Sequence, residues 1–200
     1  MTVRVMLISP ALDVALREAR FDGDAPLDPA GVRRARAAAS AVPPAGRYVR
    51  GPSARCAGTA DALGLRADPE LALRGWDMGR WSGQRLAEVS ASEPDAVSAW
   101  LTDPSAAAHG GESLLEFSAR VGRWLKSVEF VEFLDGDGGG RLLGVVEPAV
   151  VRAAIVQALA LPTEAFWRLD VAPLTLTGLS GRSGRWNLRC GQPLSPAPAG

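Results

Sequence analysis

Few residues of this chain are equipped to do chemistry, and their placement narrows what that chemistry is. His109 is the only histidine, in a loop just ahead of Gly110-Gly111-Glu112-Ser113; it reads as a solvated loop residue or as a ligand contact. Cys56 and Cys190 lack the spacing of metal ligands, so neither a metal centre nor a cofactor is expected. Trp76 and Trp81 flank the turn Asp77-Met78-Gly79, which suits either loop packing or the aromatic wall of a ligand pocket. Polar side chains also stand where apolar runs stop, at Ser9-Pro10-Ala11, Arg50-Gly51-Pro52 and Val146-Glu147-Pro148.

Those stopping points are strand ends. Val3 to Ile8 is a β-branched run that closes at Ser9-Pro10, a buried strand leading into a turn. Tyr48-Val49-Arg50 is a brief strand, and Gly51-Pro52-Ser53 turns it into a helix reaching Leu63-Gly64. Leu142 to Val146 is another buried strand, with a helix over Pro148 to Leu161. Asp28-Pro29 caps a further helix, from Pro29 to Ala41. Gln84 to Thr102 predicts two short helices divided by Pro94, and Glu112-Ser113 opens a long amphipathic helix towards Leu134. Leu71 to Leu73 reads as a short strand and 135–140 as a flexible turn. Leu174 to Leu179 with Arg185 to Arg189 reads as a closing hairpin. Strands followed by helices argue for a three-layer α/β/α domain, with a mostly parallel central sheet and helices on both faces. Ligands of such sheets sit beyond the carboxyl ends of the strands, where the polar triplets lie.

The 200 residues suit one domain over 1–194, and the Pro/Ala tail at 195–200 has nothing to bury and reads as disordered. Twenty-two basic and 22 acidic residues leave no net charge to draw the chain to nucleic acid or an anionic membrane. The basic residues are nearly all arginine, Lys126 being the one lysine, which beside abundant Ala, Gly and Pro reads as GC-rich codon bias. No apolar run approaches the roughly 20 residues that span a bilayer, and the N-terminus lacks a signal-peptide core. The expectation is a cytoplasmic protein with free, buried thiols rather than a disulfide.

In order and spacing, several segments resemble the histidine phosphatase superfamily, with its phosphoglycerate-mutase-like fold. Leu7-Ile8-Ser9-Pro10-Ala11 takes the place of the motif ending Arg-His-Gly, and Arg20 to Leu27 is similar to the segment after it. Gly51-Pro52-Ser53-Ala54-Arg55 with Thr59-Ala60 resembles the Ser-Pro-Leu-x-Arg helix. Asp77-Met78-Gly79-Arg80-Trp81-Ser82-Gly83 resembles Asp-Phe-Gly-x-Trp-Glu-Gly, and Gly110-Gly111-Glu112-Ser113 resembles Gly-Gly-Glu-Ser. Phe166-Trp167-Arg168-Leu169 and Trp186-Asn187-Leu188 fit the closing part.

What the resemblance implies about catalysis is a loss. The nucleophilic histidine's position holds Pro10, which cannot accept a phosphoryl group. The arginine before it is Ser9, the second histidine is Glu147, the proton donor is Gly75, and a pocket asparagine is Leu16; only Arg55 is retained. A two-histidine relay is impossible with His109 alone. The implied site is a vacated pocket with Arg55, Glu147, Ser9, Trp76, Asp77 and His109 around it, and Arg55 and Glu147 are expected to pair across it. The expected function is that of a pseudoenzyme with a binding, regulatory or assembly role. Its partner would be a small molecule or a protein, and a homodimer is compatible with this reading. The alternative is an enzyme with repurposed chemistry, Glu147 acting as acid or base in a lyase or isomerase step while Arg55 steers a carboxylate. A hydrolase using Ser9 as nucleophile lacks any visible cradle for the developing charge.

Overall fold

The computed structural model describes residues 2–12, 18–21, 24–130, 140–182 and 184–194. Six strands, β1 (Val3–Ile8), β2 (Arg47–Arg50), β3 (Asp68–Pro69), β4 (Arg141–Val145), β5 (Thr175–Arg182) and β6 (Arg185–Pro193), form one sheet in the order β3-β2-β4-β1-β5-β6. The pairings from β3 to β1 are parallel, and those of β1 with β5 and β5 with β6 are antiparallel. The sheet is therefore mixed. Parallel neighbours need long crossovers, whereas β5 and β6 are joined by a tight turn at Gly184 (φ +76°) and can only run antiparallel.

The described residues form six α-helices: α1 (Pro29–Ala38), α2 (Ala54–Ala62), α3 (Leu86–Ser92), α4 (Pro94–Thr102), α5 (Leu114–Phe130) and α6 (Pro148–Ala158). Alternation along the strands sends Val5, Leu7 and Leu142 into one core with Phe117 and Val121 of α5 and Val150 and Ala154 of α6. Ile8, Leu143 and Val145 enter a second core on the opposite face, with Ala38, Cys56 and Ala60. A third cluster of Met78, Trp81, Val89, Val97 and Trp100 seats α3 and α4. Ile8 and Arg50 both pair with Val145, so β1, β2 and β4 end at a common level and present their following residues together.

Several expected boundaries differ. Leu71–Leu73 is a 3-10 turn, and the parallel strand lies just before it, at Asp68–Pro69. The Glu70 side chain accepts the Ala72 N–H and Leu73 is fully buried, which favours the turn over an extended run. The last turn of α1 tightens into a 3-10 segment at Ala39–Ala41, and α6 stops at Ala158 because Ala160 adopts a left-handed φ of +50°. The closing hairpin is longer than expected, since an irregularity between Leu176 and Gly178 lets pairing continue to Pro193. The thiols are both unpaired, but only Cys56 is buried; Cys190 is exposed, because it lies on an edge strand with solvent on its outer side. The expected flexible turn, apart from Gly140, and the tail at 195–200 lie outside the described residues. Among the described residues no helix is long and apolar enough to cross a membrane, and no group of His, Cys, Asp and Glu could hold a metal ion.

Candidate functional site

The centre of the site is an ion pair built by two helix beginnings. Ser53 caps α2, its hydroxyl accepting the Cys56 N–H at 3.2 Å and donating to Glu147 Oε1 at 2.7 Å. Arg55, in the first turn of α2, donates from Nη2 to Glu147 Oε2 and from Nε to Oε1 at 3.4 Å. Both side chains are more than nine-tenths buried. A cation is disfavoured at a helix N-terminus and a carboxylate favoured there. Glu147 caps α6 ahead of Pro148, so its charge suits that helix end while offsetting the misplaced cation on α2. The Cys56 sulfur lies 3.5 Å from Oε1, and burial, followed by the Glu147 charge, pushes its thiol well above the usual thiol range.

Beside the pair opens a cavity of about 260 Å³. Its walls are aromatic: Phe21, Trp76, Trp100, Phe166 and Trp167 all line it, with Met78. Trp76 stacks on Phe117 at 5.5 Å and donates from Nε1 to the Glu112 carbonyl at 2.7 Å. Trp100 meets Trp167 edge-on at 4.7 Å. Gly75, without a side chain, leaves that part of the lining open. The loop is tied down by Arg120, which is bidentate to Glu112 at 2.8 and 2.6 Å and also bonds the Gly75 carbonyl.

Of the residues singled out from sequence, Arg55, Glu147, Gly75 and Trp76 meet at this cavity. Ser9 does not. It is fully buried, its hydroxyl donating to the Ala172 carbonyl at 2.5 Å and accepting the Thr175 N–H, because β1 continues its ladder into the start of β5. Pro10 is buried behind it. Asp77 turns inward on its own loop, Oδ1 accepting the Gly79 N–H at 2.9 Å, and lies outside the cavity lining. Trp81 packs in the α3–α4 cluster and bonds Glu93, also outside the lining. The expected solvated state of His109 is overturned: the ring is 1% exposed, packed against Trp76 and Trp81, with Nδ1 accepting the Gly111 N–H at 3.0 Å. The crossing of its loop with the Asp77 loop buries it, and burial lowers its pKa. Leu16 lies outside the described residues.

Sequence reading missed Arg20, Phe21, Trp100, Arg152, Phe166 and Trp167 as cavity residues. One signal was available: Arg152 is the single charged residue in α6, whose other residues are apolar apart from Gln157. The rings gave no such mark, since aromatic residues mostly pack in cores.

A mixed sheet whose parallel strands end in helix-capping polar residues, with a helical cap over the cleft, defines an α/β domain of the phosphoglycerate-mutase-like class. The model of the histidine phosphatase superfamily (branch 1) matches residues 15–191, and the chain belongs to that superfamily. The match begins after β1 and the Ser9-Pro10-Ala11 turn. Among solved structures, the mycobacterial glucosyl-3-phosphoglycerate phosphatase superposes with a TM-score of 0.81 at 24% identity, over 96% of this chain and 100% of that one. The α-ribazole phosphatase of Shigella flexneri gives a TM-score of 0.83 at 19% identity, over 99% and 100%. At these identities the likeness establishes a shared fold. No curated protein sequence matches the chain.

Proposed function

We propose that this chain is a histidine-phosphatase-like protein without phosphoryl-transfer activity, working by binding at the cavity beside Arg55 and Glu147. The observation that carries this reading is the Glu147 carboxylate on the Arg55 guanidinium, the one phosphate-holding group that the family resemblance retains here. Phosphoryl transfer depends on positioning and on neutralising charge at the phosphate oxygens. Two like charges about 4 Å apart at an effective dielectric near 20 repel by roughly 4 kcal/mol, so Glu147 opposes the ligand that the family holds. Pro10 supplies no nucleophilic atom, and the Ser9 hydroxyl is committed to β5. An acid–base role for Glu147 is the weaker reading, since both its oxygens already accept bonds from Ser53 and Arg55. Two unpaired cysteines suit a reducing, cytoplasmic setting.

The mycobacterial relative is described in complex with VO3 and with inorganic phosphate, and vanadate is therefore a direct probe. The purified chain is expected to show no turnover of 4-nitrophenyl phosphate or of sugar phosphates, and no saturable binding of vanadate. Turnover that follows the protein through purification and vanishes in Arg55→Ala would overturn the proposal.

A further inference from the structure

We propose that the cavity beside the Arg55–Glu147 pair binds a small aromatic carboxylate, with the ring against the tryptophan and phenylalanine walls and the carboxylate on Arg152. This rests on the binding function proposed above and names its ligand class.

Three arginines line the cavity with one carboxylate, Glu147. Arg55 is matched by Glu147. Arg20 is matched by Glu18 at 2.7 Å and by the Gly83 carbonyl at 3.0 Å. Arg152 has neither an ion pair nor a hydrogen bond among the described residues. Its Nε is buried without a partner, its guanidinium carbon sits 5.7 Å from the centre of the Phe166 ring, and Asp170 acts on it only through space. Trp100, 8% exposed, brings a second buried N–H without a partner, at Nε1. Buried donors are nearly always satisfied in native proteins. Two unsatisfied donors on residues of one cavity call for a ligand that carries acceptors.

Size and shape narrow the class. A cavity of about 150 Å³ accommodates benzene. The 260 Å³ here leaves room for one ring or two fused rings with a single anionic substituent. Five aromatic side chains offer faces and edges to a flat body, the arrangement in which ring pairs attract beyond their area burial. A planar carboxylate pairs with one guanidinium through two parallel bonds. A phosphate dianion carries twice the charge, has only Arg152 unmatched, and meets Glu147.

Calorimetric titration of the full chain tests this with benzoate and 2-naphthoate, their uncharged counterparts benzamide and 2-naphthamide, and phenyl phosphate. At least one carboxylate is expected to bind saturably, more tightly than its amide by about tenfold or more, the weight of a hydrogen bond to a charged group. Arg152→Gln is expected to weaken it by a similar factor. Ala149→Leu, which fills the cavity while retaining Arg152, is expected to abolish binding; it keeps the test decisive if Arg152→Gln does not fold. Absence of saturable carboxylate binding at millimolar concentration, or binding indifferent to the folded variants, overturns this inference alone. Phenyl phosphate bound more tightly than the carboxylates, with that binding lost in Arg55→Ala, overturns it too, and hydrolysis of phenyl phosphate lost in the same variant overturns the proposed function as well.

Discussion

Removing one member of a buried ion pair leaves the other charge uncompensated, which typically costs about 3–5 kcal/mol. Arg55 and Glu147 meet that condition, with 8% and 4% of their side-chain surfaces exposed. Glu147→Ala is therefore expected to lower the stability measured by urea unfolding by about that amount. The double substitution Arg55→Met with Glu147→Leu removes both charges from an apolar setting and is expected to recover most of the loss. The same single variant reports on the vacated site, because it removes the carboxylate that opposes an anion beside Arg55. Inorganic phosphate should raise the melting temperature of Glu147→Ala and leave that of the parent chain unmoved, because only a ligand bound to the native state stabilises it. A parent chain stabilised by phosphate as strongly as the variant would show that the pair does not block the site.

At the scale of elements, the cavity depends on two loops that cross at van der Waals limits. The Asp77 carbonyl accepts the Glu112 N–H, and the His109 carbonyl accepts the Arg80 N–H, each at 3.0 Å. A Cβ on Gly111 would lie 2.1 Å from the Asp77 oxygen, a backbone atom that cannot move aside alone. Gly110 is different: its φ of +80° favours glycine, but nothing lies within 4 Å of an added Cβ. Gly110→Ala should destabilise by about 1–2 kcal/mol, the penalty of a left-handed backbone. Gly111→Ala should cost about 3 kcal/mol or more, as a forced separation of packed backbone does. It should also disturb the near-ultraviolet circular dichroism, since Glu112 anchors Trp76. Equal effects at the two glycines would mean that the crossing is looser than its geometry.

The whole molecule carries a pH dependence through His109. Burial lowers its pKa below the usual 6.5, Asp77 opposing and Arg80 reinforcing the shift. Protonation of Nδ1 would also break the bond from the Gly111 N–H. The unfolded chain thus binds a proton more readily than the native one. The stability that His109 contributes is full above about 6.5 and is lost as pH falls through the depressed native value. Glu18, Glu93, Asp103 and Glu116 are held below the ordinary carboxylate range by hydrogen bonds from their neighbours, so their contribution is lost only at more acid pH. The urea midpoint should therefore fall between about pH 7.5 and 5.5. His109→Gln, which does not titrate, should lower stability throughout and remove that slope; an unchanged slope would assign it to other groups.

Local physics wrote much of this protein into its sequence. Strand ends at Ser9, Arg50 and Val146, the caps at Asp28 and Ser53, and the break at Pro94 follow from residue types that act within a few positions. The chemistry of Pro10, Gly75 and Glu147 is likewise a matter of which atoms a side chain has. Even the pairing of Arg55 with Glu147 could be anticipated, because parallel strands bring their following residues to one level. Other features belong to no local pattern. The serine hydroxyl turns to β5, His109 is sealed by a loop crossing, and the antiparallel pairing runs past the expected hairpin to Pro193. The cavity is the clearest case, since rings at Phe21, Trp76, Trp100, Phe166 and Trp167 come from segments far apart in the chain. A tryptophan in a core and a tryptophan on a cavity wall have the same neighbours in sequence. Whether space remains between them is decided only by how the helical cap, the Gly75 loop and α6 settle against one another.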